Sequence, residues 1–546
     1  MLRIHNAKIL DVFNQTFDTT ELWIDNGTIV YRGARPDWTA DETFDAQGKT
    51  IVPGFIDAHM HIESSLLAPS EVAKIALRHG VTRVFADPHE IASVAGISGI
   101  QYMLEEARQT PLNIHYMLPS SVPATPFEHA GATLNAAALK PFYGVPEVNG
   151  LAEVMDFPAV ANQNADMLQK IADAKAAGKH VDGHGSGLTR EQLSIYRNVG
   201  IDTDHESTNA AEALDRLAAG MSVLIREGTV ERDEVAILPA VNDANWTRFA
   251  FATDDKSALD LQSEGSIDYS VRLAIENGIP AARALTMASL NAARAHHLDN
   301  IGALSDGFVA DLLVLDDVNK VQVARTMVNG QWLDAIDTTV LPMTNQALNF
   351  TLDKIDLSLP IANQAHVIEI EPHHITTKHL ITAVPTQNGL FRADAEFAKI
   401  VVAERYHHLG QGVGIIKGLH LTQGAIGSTI AHDSHNLIIA GHDDDAMLLA
   451  ADTLKELGGG MVVVDGSGQV TSLSLTIGGL MADASYQDVI ANTNALMRAF
   501  EKISDIRDFD PFLTLSFMAL PVIPSLKITD QGLFDFEQFA FIDINA

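Results

Sequence analysis

Hydrophobic and polar positions change their period several times along the chain, and each period predicts a different element. Residues 1–50 contain short apolar runs such as AKILDVF and ELWIDNGTIVYRG, which are typical of strands joined by tight turns. The same pattern returns at 307–333 in GFVADLLVLDD and KVQVARTMVNGQWL. Asn26-Gly27 and Asn329-Gly330 each lie between apolar runs and predict two-residue hairpin turns. We therefore expect the two flanks to pair into one small β domain around a long insert.

The insert, about residues 51–300, alternates strand-like runs with stretches of helical spacing. The strand-like runs are IVPGFIDA, VTRVFAD, NIHYMLPS, LAEVM, KHVDGH, IDTDHE, MSVLIREG and FAFATDD. The helical segment IPAARALTMASLNAARAHHL closes the region, with Pro280 in its first turn. Eight strands over about 250 residues is the size of a (β/α)8 barrel. A doubly wound sheet is the alternative, but no GxGxxG opens a helix in this region.

After about residue 350 the pattern changes again, to Gly-rich turns, further strands and a clear helix at 445–457. The predicted fold is therefore α/β: a (β/α)8 TIM-type barrel, a small β-sandwich built from both flanks and a C-terminal α+β domain. The expected boundaries are 1–50 for the first part of the β-sandwich, 51–300 for the barrel, 301–345 for the second part and 355–546 for the C-terminal domain.

Composition narrows the class of protein and its partners. A hydrophobic content of 47% and a mean hydropathy of +0.08 are typical of a globular protein. The net charge of -34 disfavours nucleic acid or an anionic membrane surface as the partner. The chain has no cysteine, which excludes disulfides and thiolate metal sites and suits the cytoplasm. It also contains neither a signal-like apolar start nor a run long enough to span a membrane.

Polar residues cluster where the predicted barrel strands end. His59 and His61 follow the first strand, and alternate strand positions point to the same side. A polar strand end is ordinary where it meets a loop, and a lone HxH is weak support for a metal site. In a barrel, however, the carboxyl ends of all eight strands form one face. The candidate metal ligands at these ends are His59, His61, Glu153, His184, His205 and Asp254.

These six side chains exceed one tetrahedral shell, so they predict two divalent metal ions. Glu153 has two oxygens and is able to bridge them. Nitrogen and oxygen ligands without sulfur admit Mn²⁺, Fe²⁺ or Zn²⁺, and we expect Mn²⁺ or Fe²⁺ ahead of Zn²⁺. Two close cations lower the pKa of a shared water, and Asp254 is the candidate that takes its proton and passes it to a leaving group.

The sequence resembles the adenine deaminase family of the amidohydrolase superfamily. The matching stretches in the barrel include PGFIDAHMHIESS, ADPHEIA, GLAEVMDFP, VDGHGSGL, TDHES, IREG and TDD. GAIGSTIAHDSHNLIIAG and GGGMVVVDG match in the C-terminal domain, so the resemblance covers nearly the whole chain. It implies a cytoplasmic enzyme of purine salvage that hydrolyses adenine to hypoxanthine and ammonia, with a metal-activated hydroxide attacking C6. It further implies Glu153 in place of the modified lysine of many relatives, and a homo-oligomer, a dimer or tetramer.

Further residues near the strand ends and in the HDSHN turn are candidates for substrate binding or for support of the ligands. They are Asp87, His89, Glu90, Arg226, Glu227, His432 and His435. For the first five, the alternative interpretation is support of the ligands or ordinary loop charge. His432 and His435 bear on whether the C-terminal domain closes over the barrel, since a turn with histidines is usually structural.

Three alternatives stay open. Where the family carries a His-Pro-acid run, this chain has Lys256-Ser257-Ala258, and Ser266 replaces a histidine, so a related aminopurine is a second candidate substrate. A cyclic-amide hydrolase of dihydropyrimidinase type would use the same metals, although Glu153 stands where such enzymes have a lysine. A binding protein that holds metal without turnover is the third alternative. Zinc deaminases with cysteine ligands are excluded by the composition.

Overall fold

The computed structural model describes residues 1–334, 339–343, 354–372 and 374–546. Both flanks of the chain contribute to one eight-stranded sheet, as predicted. Its strands are β1 Leu2–Asp11, β2 Thr16–Asp25, β3 Thr28–Arg32, β4 Glu42–Asp45, β5 Thr50–Pro53, β14 Leu312–Asp317, β15 Gln322–Val328 and β16 Gln331–Trp332. The order is β16-β15-β14-β5-β1-β2-β3, with β4 beside β1. Residues 335–338 and 344–345 of the expected second part lie outside the described residues.

Both predicted hairpin turns are confirmed. Asp25 pairs with Thr28 around Asn26-Gly27, and Val328 pairs with Gln331 around Asn329-Gly330. The φ angles are 46° and 78° in the first turn and 48° and 77° in the second. Two left-handed residues in a row define the type I′ turn, which asparagine and glycine adopt with the least strain.

The central region forms the predicted barrel of eight parallel strands. They are β6 Phe55–Met60, β7 Val81–Ala86, β8 Asn113–Leu118, β9 Val148–Val154, β10 His180–Gly183, β11 Thr203–Asp204, β12 Ser222–Arg226 and β13 Phe249–Ala252. They pair as a five-stranded group, β6 to β10, and a three-stranded group, β11 to β13. Backbone hydrogen bonds join the groups: Asp202 N to Val181 O at 3.0 Å, and Asp254 N to His59 O at 3.0 Å. The second bond connects the last strand to the first and closes the barrel.

The first predicted strand, 51–58, is two strands that serve different sheets. Thr50–Pro53 pairs with β1 and β14 in the small sheet, whereas Phe55–Met60 pairs with β7 in the barrel. Gly54 separates them, and a Cβ there would lie 2.3 Å from the Thr82 hydroxyl oxygen. The close approach of β7 at this point therefore requires glycine.

Helices follow most of the barrel strands and cover their outer side. They are α1 Pro69–Ala76, α2 His89–Ala107, α3 Ala136–Leu139, α4 Phe157–Ala161, α5 Ala165–Ala176, α6 Arg190–Val199, α7 Ala210–Ala218, α8 Glu234–Ile237, α9 Ala258–Ser263, α10 Ile267–Glu276, α11 Ala281–Thr286 and α12 Ala292–Ala295. The predicted closing helix is thus α11 and α12, joined by a π-helical segment, Met287–Asn291. Thr189 begins α6 with a capping box to Gln192.

The C-terminal region is a separate α+β layer that rests against the barrel. Its helices are α13 Asp444–Leu457, α14 Tyr486–Phe500 and α15 Pro511–Phe517, and α13 corresponds to the predicted 445–457. Its strands are β17 Ala365–Ile370, β18 Thr377–Thr382, β19 Thr386–Gln387, β20 Leu390–Phe391, β21 Phe397–Ala403, β22 Gln411–Lys417, β23 Ala425–Ser428, β24 Leu437–Gly441, β25 Gly460–Val464, β26 Val470–Ser474, β27 Leu526–Thr529, β28 Gly532–Asp535 and β29 Ala540–Ile542.

Hydrogen bonds fix this layer to the mouth of the barrel. The Asn436 side chain donates to the His129 carbonyl at 2.8 Å, and the Tyr486 backbone N–H donates to the Glu71 carboxylate at 2.9 Å. The HDSHN turn, which lies between β23 and β24, is therefore held over the strand ends. Among the described residues, no helix combines the length and apolar character needed to cross a membrane.

Candidate metal centre and adjoining cavity

His59 and His61 lie at the end of β6 with their ring nitrogens facing each other. The two Nε2 atoms are 3.2 Å apart. The Nδ1 of His59 is 3.0 Å from Asp182 Oδ2, and the Nδ1 of His61 is 3.3 Å from the Asp87 carbonyl oxygen. Since both Nδ1 atoms face acceptors, Nδ1 keeps the proton whenever a ring is neutral, and Nε2 then presents a lone pair. Burial opposes protonation, but carboxylates, Asp254 among them, raise the pKa of both rings when no metal is bound. A cation between the two Nε2 atoms would take the place of the added protons, so the pair fits a metal ion.

Glu153, in β9, joins this pair to two further histidines. Its Oε2 lies 2.6 Å from His184 Nδ1 and 3.1 Å from His205 Nε2. Its Oε1 lies 3.5 Å from His61 Nε2. One carboxylate therefore reaches both halves of the cluster, as a bridging ligand must.

Asp254 follows β13 and completes the cluster from the closing strand. Its Oδ1 is 3.2 Å from His61 Nε2 and 3.4 Å from His59 Nε2, while Oδ2 accepts a hydrogen bond from Arg226 Nη1 at 3.2 Å. Burial alone would raise its pKa, but hydrogen bonds from the two histidines and the Arg226 charge hold the pKa of Asp254 well below its usual value. The side chain is therefore a carboxylate at neutral pH.

The six sequence-predicted ligands meet at one place and divide into two groups. The potential ligand atoms of each group lie within 4.8 Å of one another. The groups are His59, His61 and Asp254, and Glu153, His184 and His205. Their nitrogen and oxygen donors fit two divalent cations. Burial favours this interpretation, because ligands removed from water bind a cation without competing hydration.

Asp182 orients the cluster from behind, and the sequence analysis missed it. Burial would raise its pKa, but the adjoining imidazoles of His205 and His59 hold the pKa well below the usual value. The carboxylate also accepts a hydrogen bond from the Thr203 hydroxyl. A signal was present in VDGHGSGL, because Asp182 precedes His184 by two residues and alternate strand positions share a face.

The Arg226 guanidinium contacts carboxylates beside Asp254 through Nη1 and Nε. It contacts the carboxylates of Glu206 and Asp254 and lies 2.7 Å from Asp233 Oδ2. Glu227 points away, since its carboxylate accepts the Glu234 backbone N–H at 3.3 Å. Of the two residues predicted together, only Arg226 lines the metal cluster.

His89 connects the metal cluster to the C-terminal domain. Its Nδ1 is 3.2 Å from Asp87 Oδ2 and 3.7 Å from Glu153 Oε1. Its Nε2 is 3.7 Å from Asp433 Oδ1, in the HDSHN turn. Asp433 was not a sequence candidate, although it adjoins the predicted His432. The C-terminal domain therefore reaches the second layer of residues around the cluster.

Two cavities meet at this boundary. A small one of about 60 Å³ is lined by the ligand cluster, and a larger one of about 580 Å³ opens between the barrel and the C-terminal domain. They share four lining residues: Glu90, Asp255, His432 and Phe517. His435 lines the larger cavity only, and Ser257 and Ala258 from the loop after β13 lie on its wall. The arrangement provides a polar reaction centre beside a space for a small molecule.

Comparison with known proteins agrees with this geometry. Residues 50–333 match the amidohydrolase family, and residues 374–540 match the adenine deaminase C-terminal domain. The adenine deaminase of Leuconostoc citreum is 69% identical over 543 residues, which cover 99% of this chain and 98% of that protein. Adenine deaminase 1 of Oenococcus oeni is 65% identical over 547 residues, covering 100% and 99% respectively. This chain therefore belongs to the adenine deaminase family of the amidohydrolase superfamily.

Proposed function

We propose that this protein is a metal-dependent adenine deaminase, which converts adenine and water to hypoxanthine and ammonia. The observation that carries the proposal is the pair of facing Nε2 atoms of His59 and His61, 3.2 Å apart beside Glu153. The adenine deaminase of Leuconostoc citreum, 69% identical along the chain, supports adenine as the substrate.

His59, His61, Glu153, His184, His205 and Asp254 would hold the metal ions, with Mn²⁺ or Fe²⁺ expected ahead of Zn²⁺. Bound there, divalent cations would lower the pKa of water toward neutrality and make it a nucleophile for C6 of the purine. The side chains of the protein transfer the protons and orient the carboxylate that carries them.

Asp254 is the proposed proton carrier. Its carboxylate is ionised, since its pKa lies well below the usual value, and it faces the same small cavity as the ligand histidines. As the water oxygen forms its bond to C6, Asp254 accepts the proton that the water loses. It then donates that proton to the amino nitrogen as the C6–N bond breaks, so that ammonia leaves.

Arg226 and Glu206 position this carboxylate. The guanidinium donates to both acids, and Asp233 binds its other edge at 2.7 Å. These contacts use Nη1 and Nε, so the donors on this side of the guanidinium are committed to carboxylates. We therefore assign Arg226 to the orientation of Asp254.

The direct test is ammonia release by metal-reconstituted protein. We expect adenine to yield equal amounts of ammonia and hypoxanthine, and metal-free protein to yield neither. Dihydrouracil and a panel of other aminopurines serve as alternative substrates. Activity on dihydrouracil alone would instead establish a cyclic-amide hydrolase, and metal binding without turnover of any ring would establish a binding protein.

A cytoplasmic location and a dimeric or tetrameric assembly accompany this proposal as predictions of the family resemblance. Size-exclusion chromatography with light scattering on the metal-loaded protein measures the second. A monomeric mass would contradict the predicted assembly and leave the proposed chemistry unchanged.

A further inference from the structure

His435 is a polar side chain at the interface of the two domains with both ring nitrogens unpaired among the described residues. Its ring is fully buried, and among the described residues neither Nδ1 nor Nε2 has a hydrogen-bond partner. The backbone around it is firmly held, because the His435 carbonyl accepts bonds from Arg405 Nε at 2.5 Å and from the Tyr406 hydroxyl at 2.9 Å. The ring is thus fixed in place while its hydrogen-bonding groups stay unused, which costs free energy unless a ligand pairs them.

Glu90 faces His435 from the barrel side. It is 2% exposed, and its Oε2 has no partner among the described residues. Its Oε1 is only weakly engaged, at 3.4 Å from the Ser64 hydroxyl and 3.6 Å from His432 Nδ1. One ligand-capable atom from each of Glu90, His432 and His435 lies within 4.8 Å of the others. Two domains therefore bring unpaired acceptor and donor groups to one point.

This point lies where the two cavities meet. Glu90 and His432 line both the small cavity of the metal cluster and the larger cavity, and His435 lines the larger one. The Phe517 ring stacks on His432 at 4.8 Å with an angle of 16° between the ring planes, and it also lines both cavities. A flat heterocycle whose reacting carbon is at the metal cluster would extend toward these groups, beside an aromatic surface.

We infer that Glu90 and His435 together bind ring nitrogens of the purine, so that the C-terminal domain supplies part of the substrate site. This inference rests on the proposed function. Adenine presents acceptor nitrogens and one N–H on its rings, and a neutral imidazole offers one donor and one acceptor to match them. Burial lowers the pKa of His435 well below its usual value, so this ring is neutral.

The inference is tested by combining protein variants with substrate analogues. The variants are Glu90→Gln and His435→Asn, with His442→Asn as the control, since His442 belongs to the same domain and contacts Asp443. Substrates are adenine and its 3-deaza, 7-deaza and 9-methyl analogues, each of which removes one ring hydrogen-bonding group. In the wild-type protein, we expect at least one analogue to lose roughly 10- to 100-fold in kcat/KM relative to adenine.

Each such loss should shrink to within a few fold in the variant whose replaced side chain pairs with that ring nitrogen, and should persist in the other variant and in His442→Asn. For adenine itself, KM should rise more than kcat falls, with the metal content unchanged. The inference would be overturned if each analogue lost the same factor in kcat/KM, relative to adenine, in the wild-type protein and in the variants. So would loss of one metal equivalent from His435→Asn alone, since the three side chains would then hold a cation.

Folding and function are separated by two further measurements. Should circular dichroism show His435→Asn unfolded, Glu90→Gln decides the question, because it is isosteric and comes from the other domain. If the wild-type protein binds adenine without turnover, the proposed function fails, and dissociation constants of adenine and its analogues measured by calorimetry test the binding role of Glu90 and His435 alone.

Discussion

Two histidine pairs in this molecule have closely approaching ring nitrogens but differ in what those nitrogens can do. In the barrel, His59 and His61 face each other at 3.2 Å through Nε2 atoms. On the C-terminal sheet, His366 of β17 and His379 of β18 approach to 2.6 Å between Nδ1 and Nε2. Both pairs have a carboxylate nearby, Asp182 in the barrel and Asp535 in the sheet.

The sheet pair is satisfied by hydrogen bonds alone. His379 Nδ1 faces Asp535 Oδ2 at 3.3 Å, so His379 Nε2 accepts the Nδ1–H of His366. Burial and the neighbouring His379 lower the pKa of His366, which keeps its ring neutral. In the barrel, acceptors hold both Nδ1 protons, so two neutral rings would have no Nε2 proton to share and would need a cation between them. Proximity of two imidazoles is therefore insufficient for a metal site; the far nitrogen of each ring must also be engaged.

The largest expected effect comes from deleting one of the facing rings. His59→Ala removes a ligand atom from the first group and should lose bound metal and all measurable deamination. His366→Ala removes the matching ring of the sheet pair and should retain both. Elemental analysis of the two purified variants measures this. Equal metal content in His59→Ala and His366→Ala would show that the barrel pair binds metal no better than the sheet pair.

Replacing the proposed proton carrier should separate metal binding from chemistry. Asp254→Asn retains an oxygen toward the histidines but cannot accept the proton from water. We expect deamination to fall by roughly 10²- to 10⁴-fold while the metal ions stay bound. Asp535→Asn, the matched change at the sheet pair, should deaminate like wild type. A near wild-type rate for Asp254→Asn would refute its assignment.

Loosening the orientation of a ligand should have a smaller effect. In Asp182→Asn, the amide no longer offers a carboxylate to the Nδ1–H groups behind the cluster, so His59 is free to adopt the other tautomer. We expect metal affinity to fall by about 10- to 100-fold, with activity restored at saturating metal. Titration with a chelator measures the affinity. Unchanged affinity would show that the ring needs no such partner.

The smallest effect is a dependence of metal affinity on pH. Burial opposes protonation of His184, but the Glu206 and Glu153 carboxylates raise its pKa to about 9 in the metal-free protein. An incoming cation must displace this proton, so affinity should rise by about tenfold per pH unit for each proton displaced, up to about pH 9. Calorimetry in buffers of different ionisation enthalpy would detect the released protons. Affinity independent of pH would mean that the rings are already deprotonated.

Much of this account follows from local sequence pattern. The hairpin turns at Asn26 and Asn329 follow from Asn-Gly pairs between apolar runs, and the barrel follows from the alternation of strands and helices. That the six candidate ligands would lie together was predictable because strand ends of a barrel share one face. The division of the first strand at Gly54 was missed, because apolar periodicity does not reveal which sheet a strand joins.

The remaining features depend on contacts between distant parts of the chain. The spacing from His184 places Asp182 on the ligand face of its strand, but its partner His59 is distant in the sequence, and the role of Asp182 appears only when His59 lies 3.0 Å away. The contact of Asp433 with His89 joins two domains. Nor does the sequence distinguish Glu227 from Arg226, since small rotations at a strand end decide which side chain enters the site.

Anomalous diffraction from crystals of the manganese-loaded protein, recorded at the manganese absorption edge, shows whether two metal ions occupy the cluster. We expect two anomalous difference peaks. One lies within coordination distance of the Nε2 atoms of His59 and His61, the other beside His184 and His205, and Glu153 contacts both. No peak between the facing rings, in protein that elemental analysis shows to contain manganese, would contradict this expectation.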